Sequence, residues 1–331
     1  MPTLPVHIDD AVLAETLAEG MTEVEERLLK SVESSKDLLD TAARHLVDAG
    51  GKRLRPFMVL LAAEFGDGRN PDVVAAAVAT ELTHIGTLYH DDVMDGAATR
   101  RGVPSAHSVW GSRVAVQTGN FLFARSSQLL SGLGEAAIRI HAETFGDLVD
   151  GQSAEVCGPG GESDELDHHL RVLNGKTASL FSASGKLGSL LSGAPPEVTE
   201  CLGRACVAWG LAFQLSDDVR DVTNETAVSG KDPGTDLREG VATLPVMFAL
   251  RSARPSDARL VQLLEPGREL TDPELLAEAL GLLRRHPAIE MARAEVRKWS
   301  DVARYEIRAL PEVPARAAFE TLCDYVVELT H

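Results

Sequence analysis

The chain has 331 residues, 44% of them hydrophobic, with 32 Lys and Arg against 50 Asp and Glu for a net charge of −18. That much apolar material supports a sizeable core and excludes a disordered chain. The acidic balance repels polyphosphate backbones, so no nucleic-acid partner is expected; a small anion held by local cations or metal ions remains compatible with it. The four cysteines, Cys157, Cys201, Cys206 and Cys323, show no metal-ligand spacing and read as small buried hydrophobes in a reducing compartment. The N-terminal MPTLPVHIDD carries no basic segment or apolar signal region, and no apolar run approaches the length of a membrane span. A soluble, cytoplasmic protein is expected.

Helical punctuation dominates in chain order. Asn70 followed by Pro71 reads as an N-cap and first helical residue, opening the Ala-rich run DVVAAAVATELTHIGTLYHDDVMD, one long helix ending near Gly96. Pro195-Pro196 opens EVTECLGRACVAWGLAFQLSDDVRDVTNE. Thr271-Asp272-Pro273 opens ELLAEALGLLRRH, Pro287 opens AIEMARAEVRKWSDVARYEIRAL, and Pro314 precedes ARAAFETLCDYVVELT. Apolar residues recur there at three- and four-residue intervals, whereas no alternating segment is bounded by hairpin turns. Polar or Gly/Pro-rich loops are CGPGGESD near 157 to 164 and SGKDPGTD near 229 to 236. The reading is a single all-α domain over residues 1–331.

Two segments break the apolar pattern alike. HDDVMD at 90 to 95 and SDDVRD at 216 to 221 both contain Asp-Asp-x-x-Asp. Residues i and i+4 share a helix face, so Asp91 aligns with Asp95 and Asp217 with Asp221, with Asp92 and Asp218 beside them. Each cluster lies near a helix C-terminus, where the dipole disfavours anions, and like charges at this spacing repel. Hard divalent cations such as Mg²⁺ would resolve the conflict, taking one or two carboxylates each and completing their shells with water and phosphate oxygens. One copy alone reads more simply as a solvated helix face; two copies on apolar helices favour metal. Neither has the spacing of an EF-hand loop.

Basic groups stand out against this acidity. GGKRLRP at 50 to 56 places Lys52, Arg53 and Arg55 behind two glycines that let backbone approach a ligand. Arg100 and Arg101 follow the first Asp cluster. Lys176 and Thr177 lie in NGKTASLF, which is not a phosphate-binding P-loop, and Lys231 lies in SGKDPG. Aspartates suit a metal-bound diphosphate, basic residues suit a second diphosphate without metal, and apolar helices suit a hydrocarbon tail.

In order and spacing, GGKRLRP, HDDVMD with RRG, GQSAE, GKT, FQLSDDVRD, GKDPGTDL and TLP resemble an all-trans polyprenyl diphosphate synthase of the class I isoprenoid synthase fold, over about residues 45 to 250. The resemblance implies a bundle of long helices around a deep central cavity, usually a homodimer. It implies head-to-tail condensation of isopentenyl diphosphate with an allylic diphosphate, assisted by several Mg²⁺ ions. Carried over by position, Asp91, Asp92, Asp95, Asp217, Asp218 and Asp221 hold the metal. Lys52, Arg55, His84 and Arg101 match the isopentenyl diphosphate site, with Arg53 a weaker contact. Arg100, Lys176, Thr177, Gln214 and Lys231 match the allylic site. Two departures are Val241, where many members have Lys, and Asn120, where many have Asp. His90 and His107 are expected to be structural.

The same resemblance implies ionisation of the allylic diphosphate, with Lys176 and Lys231 meeting the charge that accumulates on the leaving group, and attack by the isopentenyl double bond. The departing diphosphate removes the final proton. One turn before Asp91 stand Gly86 and Thr87, where bulky aromatics block elongation in the family. Small residues there imply an open tunnel and a product of C30 or longer, with Phe145 and Leu148 as floor candidates and Tyr89 turned away; Gly86 equally allows close helix packing, and the two readings are compatible. A product of that length is membrane-soluble, which suits transient membrane contact at release. A short-chain C15 or C20 synthase is the alternative. A cyclase of the same fold fits less well, since Asp221 stands where cyclases carry Ser or Thr, although Glu225 suits their Glu. An inactive regulatory subunit would be expected to lose aspartates or the basic loop.

Overall fold

The computed structural model describes residues 4–160, 164–224, 233–252, 254–265 and 267–330. Helices make up almost all regular structure among these residues, as the patterning predicts. The first ten are α1 (Ala11–Ser31), α2 (Asp37–Asp48), α3 (Leu54–Ala63), α4 (Pro71–Met94), α5 (Ala106–Trp110), α6 (Ser112–Ser131), α7 (Glu135–Cys157), α8 (Glu165–Leu173), α9 (Ser179–Leu191) and α10 (Pro196–Thr223). Helices Pro273–Leu283, Ala288–Ile307 and Pro314–Glu328 follow the prolines named above.

The caps explain the starts. Asn70 Oδ1 accepts from the backbone N–H groups of Asp72 and Val73, both at 2.9 Å, with Pro71 in the first turn. Asp10 does the same for α1 and Asp272 for Pro273–Leu283. One small hairpin departs from the all-helical expectation. Thr99 pairs with Pro104 and Arg100 with Val103. Arg101 and Gly102 between them both have positive φ, 54° and 78°. This is the backbone of a two-residue turn matched to strand twist, too short to leave an alternating pattern.

The chain divides into two compact units. The first takes the described residues up to Gly146 with Leu180–Cys206 and Glu306–Thr321. In it α4 packs along α6 and also meets α1 and α3. Fully buried Leu17, Leu28, Phe57, Leu61, Leu82 and Phe181 build its core. Each such large side chain contributes about 1.5–3 kcal/mol by leaving water. The alanines at 75 to 77 and 79 keep α4 slim enough for close neighbours. The second unit takes Asp147–Ser179, Val207–Tyr305 and the residues from Leu322 onward. Its α10 residues Leu211, Leu215 and Val219 pack with Leu173, Leu244, Ala292 and Val296. Cys201, Cys206 and Cys323 are buried as expected; Cys157 is not, because it ends α7 facing solvent. No helix among the described residues is long and apolar enough to cross a membrane.

Candidate active site

In the first unit, α4 carries the first Asp cluster into its last turn, with Asp95 as its C-cap. Asp92 is fully buried. Its Oδ1 accepts from Arg100 Nε at 2.6 Å, while Oδ2 is buried with no hydrogen-bond partner among the described residues. A buried carboxylate oxygen without a donor is costly, and a cation would satisfy it. Among the described residues no three His, Cys, Asp or Glu side chains converge into a metal-holding group. Mg²⁺ needs no such group, since it binds one or two carboxylates and completes its shell with phosphate and water. The all-oxygen donor set fits a hard divalent ion.

The basic residues gather beside an earlier part of the same helix. Glu81, three residues before His84, is almost wholly buried. Its Oε1 is 3.0 Å from Arg53 Nη1 and 3.8 Å from Arg101 Nη2. Arg101 also donates to the carbonyl of Leu46 at 2.7 Å. Its guanidinium lies against Gly51, where an added Cβ would come within 3.0 Å of Cζ. The two glycine-flanked basic motifs thus meet in one place. Arg55 stacks its guanidinium 4.6 Å from the centre of the Phe181 ring, and its buried Nε has no partner among the described residues. Burial, aided by the charge of Arg101, pushes its pKa down to about 10 against the pull of Glu81. Burial and then the charges of Arg55, Arg101, Arg100 and Arg53 hold His84 well below the ordinary histidine value, so its ring is neutral. Lys52 is exposed at the loop.

Arg53 differs from its sequence-based expectation. Its five N–H groups go to Glu25 twice, Glu81, and the carbonyls of Gly50 and Val47. A guanidinium has five donors, so none is left for a ligand in this arrangement.

Around Gly86 the helices pack closely. A Cβ there would come within 2.7 Å of the Phe123 ring on α6. Phe123 in turn makes edge contacts with Phe145 at 5.0 Å and His90 at 5.3 Å. The glycine accommodates a neighbouring aromatic and does not by itself open space. Thr87 Oγ1 is tied to the His84 carbonyl. Tyr89 faces α2, donating to the Ala42 carbonyl and accepting from Leu46 N. His107 bonds Ser105 at the start of α5. Asn120 and Val241 are exposed.

In the second unit a π-helical turn, Asn174–Ala178, presents Lys176 and Thr177. Gly151 and Gly175 allow the backbones of α7 and this turn to touch; a Cβ on Gly151 would meet Lys176 N at 2.6 Å. Lys176 pairs with Glu155 on α7, and Thr177 Oγ1 donates to Gln214 Oε1 at 3.1 Å. The second Asp cluster occupies the last two turns of α10. Asp217 pairs with Arg220 at 3.0 Å, and Asp218 accepts from His169 at 2.9 Å. Both oxygens of Asp221 accept backbone N–H groups, from Thr235 and Asp236, fixing the start of the following turn. Leu148 is buried. Lys231 and Glu225 lie outside the described residues.

A family model described as polyprenyl synthetase matches residues 36–283. The chain belongs to that family. It is 42% identical over 325 residues to the nonaprenyl diphosphate synthase of Mycobacterium tuberculosis, covering 97% of this chain and 96% of that protein. The crystal structure of the geranylgeranyl pyrophosphate synthase of Corynebacterium glutamicum, complexed with calcium and isoprenyl diphosphate, superposes with a TM-score of 0.87. It is 40% identical, covering 98% of this chain and 99% of that one. The decaprenyl diphosphate synthase of Rhodobacter capsulatus gives a TM-score of 0.86 at 34% identity, covering 96% and 98%. This polyprenyl synthetase is a prenyltransferase with the all-α isoprenyl synthase fold.

Proposed function

We propose that the chain condenses isopentenyl diphosphate head-to-tail with an allylic diphosphate, making an all-trans polyprenyl diphosphate of C30 or longer. The observation that carries this reading is on α4. The helix carries a buried aspartate, Asp92, and two turns earlier His84, beside which arginines from α3 and the loops gather; Asp92 Oδ2 and Arg55 Nε have no hydrogen-bond partner among the described residues. A metal-bound anion and a metal-free anion each find their chemistry there.

Asp91, Asp92, Asp95, Asp217, Asp218 and Asp221 would hold Mg²⁺, which when bound neutralises the allylic diphosphate and makes it a better leaving group. Arg100, released from Asp92, and Lys176, released from Glu155, turn toward diphosphate oxygens. Lys231 adds a third cation, and Thr177 and Gln214 offer dipoles to the carbocation. Lys52, Arg55, Arg101 and neutral His84 hold isopentenyl diphosphate in line for attack. Arg53, saturated by protein acceptors, shapes the loop and does not bind. The departing diphosphate takes the last proton.

For product length, the likeness to the nonaprenyl and decaprenyl enzymes supports the long-chain reading. The aromatic set of Phe123 and Phe145 beside Gly86 favours a second reading, a short-chain synthase. Homodimer formation is supported by α7, which exposes Ile138, Phe145, Val149 and Val156 at helical spacing. We further propose a cytoplasmic enzyme that works as one catalytic domain and touches membrane only to release product. The test is release of inorganic diphosphate from isopentenyl and farnesyl diphosphates. Mg²⁺-dependent release abolished by a chelator supports prenyl transfer; no release with any primer overturns it.

A further inference from the structure

Arg53 and Arg101 are the non-glycine residues with positive φ among the described residues, at 49° and 54°. For a residue with a β-carbon this conformation costs roughly 1–2 kcal/mol, and it persists only where surroundings enforce it. Both arginines come to the same carboxylate, Glu81 Oε1, at 3.0 and 3.8 Å. Arg53 begins α3 at the end of the GGKRLRP loop; Arg101 is the tip of the RRG hairpin. Glu81 comes from a third element, the middle of α4, where its neighbours Thr80, Leu82 and Thr83 are all buried. A buried carboxylate is retained only when paired and hydrogen-bonded. Here its partners are the two places where the backbone is strained.

We propose that Glu81 is a positioning residue for isopentenyl diphosphate binding: it holds the loop of Lys52 and Arg55 and the hairpin of Arg101 in the arrangement that receives the metal-free diphosphate. The inference rests on the reading of those residues as that site. Glu81 itself, buried and already engaged by cations, does not meet the ligand. It also offsets the mutual repulsion of the arginines around it, whose charges bear on one another. Glu25 completes the device from α1, gripping the far side of Arg53 with both oxygens at 2.9 and 3.0 Å. It is partly exposed, so its loss should disturb folding less.

The test is kinetic, with the full chain and two variants. Glu81→Gln removes the charge and keeps the shape. It is expected to raise the KM for isopentenyl diphosphate about tenfold or more, the scale of a lost charged hydrogen bond. The KM for the allylic primer and the kcat at saturation are expected to stay within about threefold, because this is a loss of uniform binding. Glu25→Gln should move the same KM in the same direction by a smaller factor, and it serves if Glu81→Gln does not fold. Equal loss in both KM values, or no change in the isopentenyl KM in a folded variant, overturns the proposal. Calorimetric binding of inorganic pyrophosphate without metal separates the two levels of argument. If wild type binds it and Glu81→Gln binds at least about tenfold more weakly, the positioning role stands even should prenyl transfer fail. If both bind alike, the role falls even should prenyl transfer hold.

Discussion

Arg100 and Asp92 form an ion pair in which two nitrogens of the guanidinium, Nε and Nη2, each lie 2.6 Å from a single oxygen, Oδ1. The other oxygen of Asp92 is buried without a hydrogen-bond partner among the described residues. Arginine normally meets a carboxylate through both oxygens. The one-sided pairing keeps the second oxygen available, where a divalent cation would satisfy it.

Asp92→Asn should therefore remove activity while sparing the fold. Losing a ligand that balances leaving-group charge is worth several kcal/mol, roughly a thousandfold or more in kcat/KM. Circular dichroism should show unchanged helix content. Near-normal turnover would contradict the metal role of this residue.

Phe123 and Gly86 make a second prediction. The ring occupies the space a side chain at 86 would need. Phe123→Ala should lengthen the product by one or more isoprene units, read by sizing the hydrolysed products. Gly86→Phe must displace the Phe123 ring and should shorten the product. An unchanged product in both variants would place length control elsewhere.

His84 gives a pH prediction. Its folded pKa lies below the ordinary value of 6.5, because of burial and the nearby arginines. Between the two values the unfolded chain binds more protons than the folded one, so stability rises with pH. The contribution is fully present above about pH 6.5 and is lost as pH falls toward the folded value. Urea unfolding from pH 5 to 8 should show a steeper acid-side loss in wild type than in His84→Gln. Parallel curves would contradict the burial of a neutral ring.

Much of this was legible in residue order. Asn70-Pro71 and Asp272-Pro273 announce helix starts, and the paired Asp-Asp-x-x-Asp runs mark the carboxylates found near the ends of α4 and α10. Glu81 was equally visible as a lone charge in the apolar stretch VVAAAVATELTHIG, and a charge in that setting is rarely buried without purpose. What no periodicity reports is the partner. The saturation of Arg53 depends on Glu25 and on two carbonyls brought in by tertiary folding. The approach of Phe123 to Gly86 depends on the packing of α4 on α6, so the sequence allowed close packing at the glycine without naming the aromatic that takes the space. The backbone contact between Gly151 and Gly175, which lies in the π-helical turn Asn174–Ala178, joins glycines from separate elements that no local pattern pairs.

The most direct test is the product itself. Purified protein, Mg²⁺, isopentenyl diphosphate and C5, C10, C15 or C20 allylic primers are incubated, and the products are dephosphorylated and sized. A ladder ending at C30 or beyond is the predicted result. A stop at C15 or C20 would contradict the long-chain reading, and no consumption of isopentenyl diphosphate would contradict the assignment of both diphosphate sites.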